Sequence, residues 1–269
     1  MRLETSVSLV NAWRSIRTRP IPSGMAILAV ILGVTATIVL LGIGQGVKGQ
    51  ILDMVGGLGS NILVVRPGSK SIEAKGIGGA IQALEPSRTN LASSSLSLND
   101  YTALQRETGL MVIPDAEADT VVSNGADSSL ATYAMVVGTT TDFPAVRSWM
   151  TSAGQFFSGL DQEAVVGKGV VKELFNDDEQ RAIGGHITLV GRLFTIVGVM
   201  EGRGVSLTQD LDAQVMIPIQ QFHQLLGGAE GGKVAMLLVK APNSESLQQT
   251  EERVRDVLRE LHGGAEDFN

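Results

Sequence analysis

The longest apolar stretch of the chain lies near its N-terminus. No Asp, Glu, Lys or Arg occurs from residue 21 to residue 47, and 15 of the 20 residues in 24–43 are Ala, Val, Ile, Leu or Met. At about 1.5 Å per residue, a helix of that length covers the roughly 30 Å hydrocarbon core of a bilayer. The pattern therefore predicts one membrane-spanning helix, with the following residues on it: Gly24, Leu28, Ile31, Val34, Ile38 and Leu41.

Charge is distributed unevenly around this run. Residues 1–22 contain four Arg and one Glu, whereas the whole chain has a formal net charge of -7. Apolar residues recur at helical spacing in the same segment, so we expect an interfacial amphipathic helix there and a cytoplasmic N-terminus, with the C-terminal domain outside. A cleaved signal peptide is the alternative, which the length of the apolar run disfavours.

A helical stripe continues beyond the apolar run. Val47, Ile51, Val55 and Leu58 are spaced by 4, 4 and 3 residues, which predicts a stalk helix over 47–58. The Gly-rich sequence from residue 44 to residue 49 matches a dinucleotide-binding fingerprint, but it follows a membrane-length run instead of a short buried strand. We therefore interpret this region as a coupling element that comprises Gly44, Gln45, Gly46, Val47, Ile51, Val55 and Leu58.

Strand and helix signals alternate through the rest of the chain. A strand is predicted at 61–66, a helix from the capping box Ser97-x-x-Asp100 to Gly109, and further strands at 110–113, 121–122 and 133–137. Short strands follow at 164–166, 187–190, 194–199 and 213–217, around a helix at 170–175 and a turn at Gly191-Arg192. A strand at 234–239 and an amphipathic helix that carries Leu247, Val254, Val257, Leu258 and Leu261 come last. The order predicts an α+β domain in two parts.

The amino-acid composition and the absence of certain motifs disfavour several functional classes. The chain has no Cys and more Asp+Glu (28) than Lys+Arg (21), so disulfide scaffolds, thiol nucleophiles and nucleic-acid binding are set aside. The three histidines have no metal-ligand spacing, the acidic runs fit solvated surface, and neither a Walker A sequence nor a serine-nucleophile motif occurs. We therefore predict no catalytic, metal or cofactor-binding residues and no enzyme activity in this chain.

Several stretches carry a family resemblance. They are residues 40–68 (LLGIGQGVKGQILDMVGGLGSNILVVRPG), 164–168, 194–199 and 261–268 (LHGGAEDF). In these stretches the chain resembles the MacB-type, FtsX-related ABC transporter permeases. The motif positions that carry the resemblance are Gly59, Ser60, Asn61, Leu174, Phe175, His262, Gly263, Asp267 and Phe268. The residues at 178–184 lack a proline that the family usually has after the Leu-Phe pair, which leaves the local turn open.

The resemblance implies a layout. Residues 1–22 would form the cytoplasmic helix, 23–47 the transmembrane helix, 48–153 and 229–269 a mixed α/β porter subdomain, and 154–228 an inserted β-rich sabre subdomain. It also implies location in the bacterial inner membrane and four spans in the complete permease. The implied partners are membrane lipid, a second permease copy as homodimer or heterodimer, a cytoplasmic ABC ATPase and a periplasmic adaptor.

The implied activity is mechanotransmission, in which ATP-driven motion inside rearranges the outer domain for export or efflux. Because the chain ends where a second span is expected, it would be a fragment, a truncated reading frame or one piece of a split permease. A signal-anchored binding or adhesion module is the alternative function, and a tethered hydrolase is the least favoured.

Overall fold

The computed structural model describes residues 21–25, 28–39, 42, 61–68, 91, 94–160, 162–205, 210–227 and 232–269. They belong to two compact units, Met1–Val55 and Gly56–Asn269. The predicted stalk lies outside the described residues, and so does the predicted interfacial helix except for residues 21 and 22. So do these predicted site residues: Leu41, Gly44, Gln45, Gly46, Val47, Ile51, Val55, Leu58, Gly59 and Ser60.

The first unit contains the apolar helix α1, Ile21–Val39, whose mean hydropathy is 2.0 over its most apolar part. Its 19 residues rise about 28 Å, enough to cross the hydrocarbon core of a bilayer. The large apolar side chains described on it are exposed, with Ile31 at 58% and Ile38 at 63%. The Thr37 hydroxyl donates a hydrogen bond to the Gly33 carbonyl, which satisfies a polar group without water. The sequence prediction of a helix of membrane length is confirmed.

The second unit is a mixed α/β domain. Its elements are β1 (Ile62–Val65), α2 (Leu98–Thr108), β2 (Met111–Asn124), β3 (Ala131–Thr139), α3 (Phe143–Arg147), β4 (Thr151–Gly154), β5 (Glu163–Val166), α4 (Lys168–Phe175), α5 (Glu179–Ala182), β6 (His186–Leu189), β7 (Arg192–Met200), β8 (Gln214–Pro218), α6 (Ile219–Leu225), β9 (Met236–Lys240) and α7 (Leu247–Leu261). The described strands pair in the order β1-β9-β2-β3-β8-β5-β7-β4, and β6 pairs with β2 and β7.

One long strand, β2, belongs to two parts of the sheet. Its residues 111–115 pair with β9, and residues 116–123 pair with β3. The sequence prediction of separate strands at 110–113 and 121–122 is therefore wrong. Pro114 and three acidic residues at alternate positions (Asp115, Glu117 and Asp119) interrupt the apolar pattern, while pairing on both sides keeps the strand continuous.

Apolar clusters cover both faces of the sheet. Alternate residues of β9 divide between them, since Leu237 and Val239 pack with α2 and α7, whereas Met236 and Leu238 pack around Phe143 on the opposite face. A further cluster packs α4 and α6 against the half of the sheet that contains β3, β7 and β8. The core therefore fixes which face each strand residue presents.

Local turns explain two remaining differences. Leu189 pairs with Arg192, so the hairpin turn is Val190-Gly191 and the predicted turn Gly191-Arg192 is one residue out of register. Both turn residues have positive φ, 47° and 77°, as a type I′ turn requires, although valine rarely adopts this conformation. After α4, Asn176 and Asp177 have positive φ and turn the chain, and the stretch that lacks the family proline then forms α5, capped by Asp178.

Candidate functional site

The last residues of the chain lie beside the residues that follow β1. Arg66 N donates to Asn269 O and Asn269 N donates to Arg66 O, both at 2.8 Å, while Gly68 N donates to Asp267 O at 2.7 Å. Pro67 and Phe268 form the bridge between these bonds. We call this antiparallel pair of residues 66–68 and 267–269 the terminal junction. It joins the first strand of the second unit to the last residues of the chain.

His262, the residue after α7, connects the terminal junction to α2. Its Nδ1 lies 2.5 Å from Asp267 Oδ1, and its Nε2 lies 3.3 Å from Asp100 Oδ1. Asp100 also accepts hydrogen bonds from the backbone N–H and the hydroxyl of Ser97, at 2.8 and 2.9 Å. The imidazole therefore joins the N-terminal end of α2 to the terminal junction.

The surroundings of His262 favour its charged form. Burial by itself lowers the pKa of the imidazole, but the hydrogen bond with Asp267 and the negative charges of Asp100 and Asp267 outweigh it and raise the pKa above its usual value. The side chain is 10% exposed, so water screens these interactions weakly. Hydrogen bonds to charged groups contribute about 1.5–3 kcal/mol, more than neutral ones.

Glycine and an aromatic ring set the position of the imidazole. Gly263 has φ 63° and Gly264 has φ 90°, conformations that side chains disfavour, and they turn the chain from the end of α7 back towards β1. The Phe268 ring meets the His262 ring edge-on, with centroids 5.7 Å apart. Phe268 is itself buried against Val65, Val254 and other residues of the α2–α7 cluster.

Asn61 lies at the opposite end of β1. Its side-chain Nδ2 donates to Ala241 O at 2.6 Å, and its carbonyl accepts from Ala241 N at 2.8 Å. These bonds extend the β1–β9 ladder by one pair. Two predicted motif positions therefore hold the two ends of β1, Asn61 at its start and Phe268 beyond its end.

The structure separates the other motif positions from this site. Leu174 and Phe175 are buried in the cluster under α4 and α6, where the Leu174 carbonyl accepts a hydrogen bond from Asn124 Nδ2 at 2.9 Å. The span residues Gly24, Leu28, Ile31, Val34 and Ile38 lie on α1 in the first unit. The structure thus brings together His262, Gly263, Asp267 and Phe268 with β1.

Sequence reasoning missed the part of Asp100 in the site. The capping box of Ser97 and Asp100 is confirmed, but nothing in the local sequence indicates that the same carboxylate also contacts His262. Ser95 was missed as well, and its hydroxyl donates to Asp267 O at 2.6 Å. Within the described ranges, no group of three or more His, Cys, Asp or Glu side chains could hold a metal ion.

A second set of charges lies on the Phe143 face of the sheet. Asp115 is 1% exposed, and its Oδ2 lies 3.7 Å from Arg147 Nη2. Burial raises the pKa of Asp115 to about 6, although the charges of Arg147 and Arg66 act against this rise. Burial and the Asp115 charge raise the pKa of Glu117 to about 8. Asp115 Oδ1 is buried without a hydrogen-bond partner.

Comparison with known proteins agrees with this architecture. Residues 23–257 match the family model of the MacB-like periplasmic core domain. The chain belongs to this family. The MacB-like chain is 27% identical over 99% of its length to the macrolide export ATP-binding/permease protein MacB of Wolinella succinogenes. It is also 27% identical over 96% of its length to the pyoverdine export ATP-binding/permease protein PvdT of Pseudomonas fluorescens. It spans 39% and 37% of these two relatives.

A solved structure gives the same fold. The crystal structure of the periplasmic region of MacB from Actinobacillus actinomycetemcomitans matches with a TM-score of 0.60 at 18% identity, covering 81% of this chain and 92% of that one. The match of residues 23–257 to the family model confirms the family predicted from the sequence. The MacB-like chain is related to the permeases of ABC exporters and has a periplasmic-type domain after one candidate transmembrane helix.

Proposed function

We propose that this chain is the N-terminal portion of an ABC exporter permease and couples the motion of a cytoplasmic ATPase to rearrangement of its extracytoplasmic domain. The motion would pass through α1 and residues 44–58 into β1. The arginines of residues 1–22 support a cytoplasmic N-terminus in the bacterial inner membrane, with the second unit outside. The export role is supported by the relatives, which are named as macrolide and pyoverdine exporters.

The terminal junction is the observation that carries the proposal. A domain transmits displacement only if the segments through which it is moved do not slip past each other. Three backbone hydrogen bonds and the His262 contacts hold residues 66–68 to residues 267–269. A pull on β1 would therefore also move the last residues of the chain and, through Asp100, helix α2.

The partners follow from the same proposal. An ABC ATPase would supply ATP hydrolysis, since the relatives are named as combined ATP-binding and permease proteins and this chain spans about two-fifths of their length. A second permease copy, a periplasmic adaptor and membrane lipid complete the proposed assembly. We also propose the two-part division, with residues 48–153 and 229–269 as porter and 154–228 as sabre.

The proposal is tested in cells that express the intact permease with its ATPase. His262→Leu is expected to reduce export while ATP hydrolysis by the complex is retained. The substitution removes the contacts with Asp100 and Asp267, so a displacement of β1 would be transmitted less completely to the rest of the second unit. His186→Leu serves as the matched control, since His186 is exposed at the start of β6. Unchanged export by the His262→Leu protein, at equal membrane abundance, would refute a coupling role for the junction.

A second replacement separates the proposal from a tethered binding module. Residues 24–43 are exchanged for an unrelated apolar helix of equal length, so that membrane anchoring is kept. The coupling proposal expects loss of export, because packing of the native span against partner spans would be lost. Retained activity would favour the signal-anchored binding or adhesion module.

A further inference from the structure

One edge of β1 pairs with β9, and the other edge, which we call the outward edge, faces away from β9. In an antiparallel ladder, successive residues direct their N–H and C=O groups to opposite edges. The Asn61 carbonyl bonds to Ala241, the residue after β9, so Leu63 and Val65 also direct their backbone groups to β9. Ile62 and Val64 consequently direct theirs to the outward edge.

The same edge is already occupied a little further along. Arg66 lies two residues after Val64, and both its N–H and its C=O bond to Asn269. The terminal junction thus covers the outward edge from Arg66 to Gly68. Among the residues that the structure describes, no backbone group pairs with Ile62 or Val64 on this side.

A groove lies between β1 and α7, next to Asn269. Its cavity of about 260 Å³ lies between β1 and α7, with Val64 on one wall, Val254 and Arg255 on the other, and Phe268 and Asn269 at one end. Arg255 forms an ion pair with Glu251 along the α7 wall. The groove therefore combines unpaired backbone groups with apolar side chains, the features that an added strand requires.

We propose that this groove holds one further strand, formed by the polypeptide that follows Asn269 in the intact permease and running antiparallel to β1. The pairs Gly68 with Asp267 and Arg66 with Asn269 fix its register. The second residue after Asn269 lies beside Val64, and the fourth lies beside Ile62. The inference rests on the proposed function in one respect, namely that polypeptide follows Asn269 in the working protein.

The register also assigns side chains. Phe268 points to the α7 face of the sheet, where it packs against Val254 and Val65. Since side chains alternate along a strand, the first and third residues after Asn269 point to the same face and are expected to be apolar. The strand runs back towards Asn61, so the connections that enter and leave the second unit lie at the same end of β1.

Hydrogen exchange tests the added strand. Amide exchange is measured in the 269-residue chain and in the intact permease, both in detergent. The amides of Ile62 and Val64 are expected to exchange more slowly by about tenfold or more in the intact protein. Leu63 and Val65 are the internal controls, because their amides bond to β9 in both proteins.

Other outcomes overturn the proposal. Equal exchange of Ile62 and Val64 in both proteins would show that no strand is added. Protection in the 269-residue chain that is independent of concentration would assign the edge to another segment of this chain. Protection that rises with concentration would assign the edge to a second copy.

A disulfide test checks the register without relying on protection. The 269 residues contain no Cys, so Leu63→Cys is combined with a cysteine at the third residue after Asn269, in an intact permease from which any later cysteine has been removed. In the proposed register these two residues form a non-hydrogen-bonded antiparallel pair. The Cα atoms of such a pair are about 4.5 Å apart, within disulfide range. Leu63→Cys with a cysteine at the second residue after Asn269 is the matched control on the opposite face.

Cross-linking is expected in the first protein and not in the control, and equal yields would overturn the register. Neither measurement requires export. Protection and cross-linking in a protein that does not transport would leave the strand established and the proposed function refuted. Transport without them would refute the strand alone.

Discussion

His262 and Asp115 are ionisable residues of the second unit whose side chains have little exposure, 10% and 1%, but their surroundings act on charge in opposite ways. His262 has a carboxylate at each ring nitrogen, and its charged form is favoured. Asp115 has one guanidinium at 3.7 Å and an oxygen without a hydrogen-bond partner, and its neutral form is favoured. Burial of charge is therefore stabilising only where hydrogen-bonded partners offset the loss of water.

The largest effect is expected from Arg147→Met. The change removes the nearer of the two cations that act on buried Asp115, leaving Arg66, and costs about 3 kcal/mol of unfolding free energy at pH 8. At pH 5 the cost is smaller, because Asp115 is then protonated. Urea unfolding of the second unit at both pH values measures it. Arg106→Met, at a side chain that is 79% exposed, is the control, and an equal loss in the two variants would contradict the assigned pairing.

His262→Leu is expected to have the next largest effect, with the opposite pH dependence. It removes the contacts with Asp100 and Asp267 and costs about 2 kcal/mol at pH 6. The cost declines as pH rises through the raised pKa of His262, since the native imidazole is then neutral. The same unfolding measurement with His186→Leu as control checks this, and a cost independent of pH would show that the charge of His262 is unimportant.

The unmodified chain is expected to lose stability as pH rises from 5 to 9. The folded state raises the pKa of Asp115 to about 6 and that of Glu117 to about 8, from ordinary values of 3.8 and 4.5. It therefore binds more protons than the unfolded state, and stability falls with pH. His262 acts in the same direction, whereas His223, whose pKa is lowered by burial, weakens the trend below about pH 6.5. Thermal unfolding across this range is the measurement, and a rise in stability would contradict the assigned shifts.

The smallest effect is expected from Asp115→Asn. The substitution removes a charge that burial disfavours and keeps the shape of the side chain, so the unfolding free energy at pH 7 should change by less than about 1 kcal/mol. Asp100→Asn is the matched comparison and should cost more, because Asp100 bonds to both Ser97 and His262. A larger loss for Asp115→Asn than for Asp100→Asn would reverse the contrast between the two clusters.

Local patterns predicted much of the fold. The capping box of Ser97 and Asp100, the glycine after α2 and the apolar periodicity of α7 each give a helix boundary or face, and they are confirmed. Leu261 is the exception on α7, since it is 48% exposed at the last turn. The short strands of residues 163–218 were predictable because their β-branched residues are enclosed by turns.

The site was less predictable because its contacts are distant in sequence. Asp100 and His262 are 162 positions apart in the sequence. Arg66 and Asn269, which pair in the terminal junction, lie near the two ends of the second unit. No local rule joins such positions. The family motif drew attention to His262, Asp267 and Phe268, but their common relation to β1 depends on the folded sheet.

The continuity of β2 has a mechanical consequence. Its 14 residues extend about 46 Å and carry pairing partners from both halves of the sheet. A tilt imposed at Met111, beside β9, must reach Asn124, beside β6, through covalent backbone without crossing a loop. The backbone of β2 therefore connects the β9 side of the sheet to the β6 side without an intervening loop.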